Sequence, residues 1–146
     1  MIISVRHTAI VVSNLEKSKF FYESIGFCVF ASSVEKGGTI DQVTGMDGVI
    51  LEWVKLKSID GFVLELLQYH SHPDSEGSEE PGPNPSNRLG CSHVCLTVDN
   101  LSELHEKLAK NGYICNSEPL ISPDNKVKIL YCHDPDGVIL ELIEDL

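Results

Sequence analysis

The strongest constraint on this chain is that it carries one pattern twice. Arg6-His7-Thr8-Ala9-Ile10-Val11-Val12-Ser13-Asn14-Leu15 can be set above Ser92-His93-Val94-Cys95-Leu96-Thr97-Val98-Asp99-Asn100-Leu101. His7 then falls on His93, Asn14 on Asn100 and Leu15 on Leu101, 86 positions apart, and the same spacing carries Gly26 onto Gly112 and Phe27 onto Tyr113. Each copy closes on a second match, Asp60-Gly61-Phe62-Val63-Leu64-Glu65-Leu66 repeating 76 positions on as Asp136-Gly137-Val138-Ile139-Leu140-Glu141-Leu142. Repetition at this scale means two copies of one supersecondary unit, each needing a partner to bury its apolar face.

Each copy has the same local grammar. A β-branched run, residues 4–12 and 93–98, predicts a strand. Asn14 and Asn100 stand where a helix N-cap belongs, and Glu103 follows Asn100 at the capping-box distance. Leu15, Phe20, Phe21 and Ile25 recur near helical spacing, as do Leu101, Leu104 and Leu108. Gly26 and Gly112 supply the positive-φ residue that ends a helix. Three shorter strands follow, the last two joined at Asp60-Gly61 and Asp136-Gly137, pairs suited to tight turns. The expected fold class is α+β, two tandem βαβββ modules. The first spans residues 1–72, a Pro-rich acidic linker 73–88, and the second module 89–146.

Composition narrows the partners. The 146 residues carry 22 Asp and Glu against 11 Lys and Arg, a net charge of −11. A surface of that sign repels nucleic acid and anionic membranes, and no apolar run reaches the roughly 20 residues of a membrane span. The first residues carry no basic segment followed by an apolar one, so secretion is not expected. The 5 Cys include no Cys-x-x-Cys pair and read as reduced thiols of a cytoplasmic protein.

The repeat also places one potential metal ligand at the start of each first strand, His7 and His93, and another in each last strand, Glu65 and Glu141. Val63, Glu65 and Leu67 share one strand face, as do Ile139, Glu141 and Ile143. An unpaired carboxylate on a buried face is costly, although an edge strand would leave it solvated. Two such carboxylates, each matched by an equivalent histidine, point instead to a shared divalent ion such as Ni²⁺, Co²⁺, Zn²⁺, Mn²⁺ or Fe²⁺. Two neutral imidazoles and two carboxylates balance its charge. Among the other histidines, His105 reads as part of a solvated helix face, His70 and His72 as exposed, and His133 as a partner of the Asp134-Pro135 turn. Cys95 shares the His93 face and reads as a small core residue.

These motifs resemble the vicinal oxygen chelate superfamily, which includes glyoxalase I, methylmalonyl-CoA epimerase, extradiol dioxygenases and bleomycin-resistance proteins. The resemblance rests on His7 through Val12, Phe21 through Phe27, Leu64-Glu65-Leu66, Gly90 through Asn100 and Asp134 through Glu144, and so covers nearly the whole chain. It implies an open, cupped barrel of paired modules around one divalent ion, a small-molecule substrate, and a homodimer. A carboxylate at Glu65 resembles the glyoxalase I pattern, His, Glu, His, Glu, more than the two-His, one-carboxylate site of the dioxygenases. The implied activity is a metal-dependent lyase or isomerase that abstracts a proton α to a carbonyl and stabilises a metal-bound enediolate. Glu141 is the first choice of base and Glu65 the second; Glu52 is a possible extra base for an epimerase but reads first as an exposed strand residue. The alternatives are an epimerase of the methylmalonyl-CoA type, an extradiol-type dioxygenase, and a metal-free binding protein of the same fold. The substrate-binding residues have no signature, and the only arginines, Arg6 and Arg88, offer little to hold the carboxylates of glutathione. Lys55 and Lys57 are the local cations that would meet CoA phosphates.

Overall fold

The computed structural model describes residues 1–74, 83–87, 89–90 and 93–146. The chain divides into two compact units, Met1–Gly77 and Ser78–Leu146. Most of the expected linker, with Arg88 and Cys91, lies outside the described residues. The first unit runs β1 (Thr8–Val11), α1 (Leu15–Ser24), β2 (Cys28–Lys36), α2 (Gly38–Thr44), β3 (Ile50–Lys57) and β4 (Val63–Tyr69). The second runs β5 (His93–Thr97), α3 (Leu101–Lys110), β6 (Leu120–Ile121), β7 (Val127–His133) and β8 (Ile139–Asp145). The fold class is α+β, with a four-stranded mixed sheet in each unit, ordered β1-β4-β3-β2 and β5-β8-β7-β6. No helix among the described residues is long and apolar enough to cross a membrane.

Two expectations about secondary structure need correction. The first strand begins at Thr8 rather than residue 4, because Met1, Ile2, Ile3 and Val5 are exposed and have no sheet face to bury. The short helix α2 was not anticipated in the stretch before β3. Its seven residues end on Gly45, whose φ of 71° takes the left-handed conformation.

Both long helices are built alike. The Asn14 side chain accepts the Lys17 amide at 3.0 Å and Asn100 accepts the Glu103 amide at 3.1 Å, so each satisfies a first-turn N–H that has no helical partner. At the other end Gly26 and Gly112, at φ 113° and 80°, close Schellman motifs. Phe27 and Tyr113 donate to the carbonyls of Tyr22 and Leu108 at 3.1 and 3.0 Å. The turn before each last strand repeats as well. Gly61 donates to Ser58 at 3.1 Å and Ser58 to Phe62 at 3.0 Å; Gly137 donates to Asp134 at 3.0 Å and Asp134 to Val138 at 3.0 Å.

One face of each sheet carries the core. Leu64 and Leu66 of β4 and Leu140 and Leu142 of β8 are buried, with Phe21 and Tyr22 of α1 and Leu101 and Leu108 of α3. Removing such side chains from water stabilises by roughly 1.5–3 kcal/mol each. Phe20, expected on the buried stripe, is exposed, and its neighbour Tyr22 takes the core position. A repeated strand-to-helix tie fixes the helices: Gln68 Oε1 accepts the Leu15 amide at 2.7 Å, and Glu144 Oε2 accepts the Leu101 amide at 2.8 Å.

Gln68→Leu leaves the Leu15 N–H without its acceptor, a loss of about 1–2 kcal/mol. For a chain of this length a fall in Tm of about 3–6 °C should follow in thermal unfolding, and an unchanged Tm would refute the tie. Its counterpart titrates. The Leu101 amide, and secondarily Lys128, holds the Glu144 carboxyl below its ordinary value of 4.5. That contribution is full above the unfolded pKa and is lost as pH falls through the folded value. Tm of the wild type should therefore exceed that of Glu144→Gln near neutrality, with the gap closing below pH 4.5; a gap independent of pH would contradict the assignment.

Candidate functional site

The opposite face of each sheet holds the predicted ligands. β1 pairs parallel with β4, Ala9 facing Glu65, and β5 pairs parallel with β8, Cys95 facing Glu141. Each histidine lies two residues before that register position, on the same face. His7 Nε2 stands 3.0 Å from Glu65 Oε2, and His93 Nε2 stands 3.1 Å from Glu141 Oε2. The solvated edge-strand alternative for these glutamates does not hold, since β4 and β8 are inner strands and the two side chains are only 12% and 16% exposed. Each unit thus presents an imidazole nitrogen beside a carboxylate oxygen, donors suited to a borderline divalent cation. Among the described residues no group of three or more His, Cys, Asp or Glu is placed to hold a metal ion.

The surroundings of the two pairs differ. Lys55, across the sheet from Glu65, places Nζ 3.4 Å from Glu65 Oε1 and 4.7 Å from the centre of the Trp53 ring. The equivalent position facing Glu141 is Tyr131, whose ring centre lies 5.3 Å from that of His93. No Lys or Arg ion-pairs with Glu141 among the described residues. Cys95 is exposed rather than the core residue expected, and it faces Glu141 across the parallel strand pair. Desolvation, and then this carboxylate, push its thiol up to about 11. The thiol consequently stays protonated at neutral pH and adds no second negative charge beside the carboxylate.

Other singled-out residues fall away from these pairs. Glu52 faces Gln68, on the helix side of its sheet, and bonds His70 at 2.8 Å, so it is no base for chemistry at Glu65. His105, read as solvated, is largely covered, its side chain 15% exposed and 3.3 Å from Glu118. It lines a shallow cleft of about 290 Å³, with Ser102, Glu106, Glu118, Ile121 and Lys128, that includes neither His–Glu pair. His133 does hold its turn, 3.2 Å from the Gly137 carbonyl, and also meets Asn116 Oδ1 at 2.8 Å. Sequence reasoning missed Lys55 and Tyr131 as neighbours of the carboxylates. Carrying the 76-residue spacing back from Glu65 and Glu141 into the preceding strands would have aligned them.

Comparisons with known proteins bear on the fold and the family. The chain is 27% identical over 144 residues, covering 97% of it and 96% of the relative, to the uncharacterized protein YwkD of Bacillus subtilis (strain 168). It superposes on the glyoxalase family protein APC24694 from Bacillus cereus with a TM-score of 0.87 at 25% identity, covering 100% of this chain and 96% of that one. The trypanothione-dependent glyoxalase I of Leishmania major shares the fold, with a TM-score of 0.64 at 22% identity over 97% of this chain and 87% of that one. The Glyoxalase/Bleomycin resistance protein/Dioxygenase family model matches residues 4–142. With nearly the whole repeat inside that match, the chain belongs to the glyoxalase/bleomycin resistance protein/dioxygenase superfamily, the vicinal oxygen chelate proteins.

Proposed function

We propose that this chain is a metal-dependent lyase or isomerase of the glyoxalase type, which moves a proton from a carbon next to a carbonyl. His7, Glu65, His93 and Glu141 are the ligands assigned to one divalent ion, and Glu141 is the base. The observation that carries this reading is the duplicated pair, an imidazole nitrogen 3.0 and 3.1 Å from a largely covered carboxylate on an inner strand of each unit. The donor set fits: two neutral imidazoles and two carboxylates offset a dication, and the hard and borderline donors suit Ni²⁺, Co²⁺, Zn²⁺, Mn²⁺ or Fe²⁺. When bound, such an ion supplies positive charge against the oxygen on which negative charge develops.

The protein's own side chains divide the remaining work. Glu65 is held from two sides, by His7 at 3.0 Å and Lys55 at 3.4 Å, which suits a fixed anchor. Glu141 meets His93 and a neutral thiol, and no lysine or arginine pins it among the described residues. Its carboxylate is therefore the freer of the two to turn toward a substrate carbon and accept the proton. Glu65 is the second candidate, able to return a proton on the opposite face. A homodimer in the cytoplasm belongs to the same reading. The exposed apolar side chains of Met1, Ile2, Ile3 and Val5 would be covered by a second copy.

The test is solvent-deuterium exchange, followed by NMR, into thiohemiacetals of 2-oxoaldehydes and into acyl-CoA thioesters, with metal supplied. Exchange confined to the first panel supports the lyase, and exchange confined to the second turns the assignment to an epimerase. Glu141→Gln should slow exchange by about 10²–10⁴-fold, the usual worth of a positioned base. No exchange into either panel, or a Glu141→Gln variant as fast as the parent, would overturn the proposal.

A further inference from the structure

Cys115 and Cys132 face each other across an isolated antiparallel bridge in the second unit. Asn116 donates to the Tyr131 carbonyl at 2.8 Å and His133 to the Ile114 carbonyl at 2.9 Å, on either side of the two cysteines. The cysteines themselves therefore form the non-hydrogen-bonded pair of the ladder, where opposite Cα atoms approach to about 4.5 Å and side chains leave on the same face. That separation lies within the range a disulfide spans. Both are free thiols, Cys132 buried and Cys115 half-buried. The repeat sharpens the observation. In the first unit the equivalent positions are Val29 and Leu56, which also face each other across strands. One copy of the module fills this cross-strand position with two hydrocarbons, the other with two thiols.

We propose that Cys115 and Cys132 form a redox-active dithiol that hydroperoxides convert to a cross-strand disulfide. The half-buried Cys115 reacts first: its sulfur attacks the peroxide O–O bond, giving a sulfenic acid and releasing water or an alcohol. The Cys132 sulfur then displaces the sulfenic oxygen, which leaves as water with the Cys132 proton, and the S–S bond forms. Two thiols lose two electrons, the peroxide gains them, and a dithiol reductant reverses the change. Burial pushes the Cys132 thiol up to about 12, with Cys115 a second cause, and burial raises Cys115 as well, so both rest as thiols at neutral pH and their oxidation by peroxide is slow. This order of exposure suits Cys115 as the attacking thiol and Cys132 as the resolving one. The crosslink would tie residues 114–116 to β7 directly beside Tyr131, which faces Glu141.

Hydrogen peroxide treatment of the folded full-length protein, a catalase quench and alkylation of remaining thiols under denaturing conditions make the test. Peptide mass mapping should find Cys115 linked to Cys132 at a loss of two hydrogens, reversed by dithiothreitol and absent from Cys115→Ser. The oxidised protein should melt about 5–10 °C higher than the reduced one, because the unfolded chain is then closed into a loop. Recovery of both thiols alkylated while the exposed Cys28 and Cys95 are oxidised would overturn the proposal. So would linkage of Cys132 to any other cysteine, or a Cys115–Cys132 bond that forms only after unfolding in urea. None of these outcomes depends on metal or substrate, so failure here leaves the proposed enzymatic reading standing.

Discussion

Parallel pairing of the first strand with the last, β1 with β4 and β5 with β8, brings together a histidine and a glutamate that lie far apart in the chain. Parallel strands cannot be joined by a hairpin, so the chain must leave the sheet and return. The helix and the two intervening strands of each unit supply that path. The caps, the Schellman ends and the strand-to-helix tie all serve it. The tie is made from the helix side of the last strand, by Gln68 or Glu144, three residues beyond the ligand-type glutamate. Strand alternation then puts Glu65 and Glu141 on the other face, beside His7 and His93.

The repeated frame is most informative where its copies differ. At the position facing the glutamate one copy has Lys55 and the other Tyr131. Beside the glutamate on the first strand one has Ala9 and the other Cys95. At the tie, Gln68 is matched by the titrating Glu144, and on the helix side Val29 and Leu56 are matched by Cys115 and Cys132. Each difference falls at a matched position of the repeat and alters charge or reactivity. Duplication with divergence of this kind supplies one carboxylate held by a lysine and another that no lysine or arginine pairs among the described residues.

Much of this was legible in the sequence because the signals were local or duplicated. Asn14, Asn100, Gly26 and Gly112 announce helix ends through capping chemistry that needs no tertiary context. His7, Glu65, His93 and Glu141 stood out because one spacing pairs the histidines and another the glutamates. What escaped depended on register. The Glu52 carboxylate resembled a possible base until its pairing with Gln68 put it on the helix face. Tyr22 displaced Phe20 from the core because a half-turn of helix separates positions that a spacing count treats as interchangeable. Cys95 read as core because a small apolar residue on a strand usually is; its carboxylate partner comes from a strand 46 residues away in the numbering. Helix α2 carries too few apolar residues to show a stripe at all.

The proposed function requires the two His–Glu pairs to act as one centre and not as two separate hydrogen-bonded pairs. Metal content of the purified protein, loaded with Co²⁺ or Ni²⁺, freed of excess ion and weighed by native mass spectrometry, tests this most directly. One divalent ion per chain is predicted, with His7→Ala and His93→Ala each losing it although only one pair is altered. Two ions per chain, an ion retained by either single variant at full affinity, or no stoichiometric ion at all would contradict it.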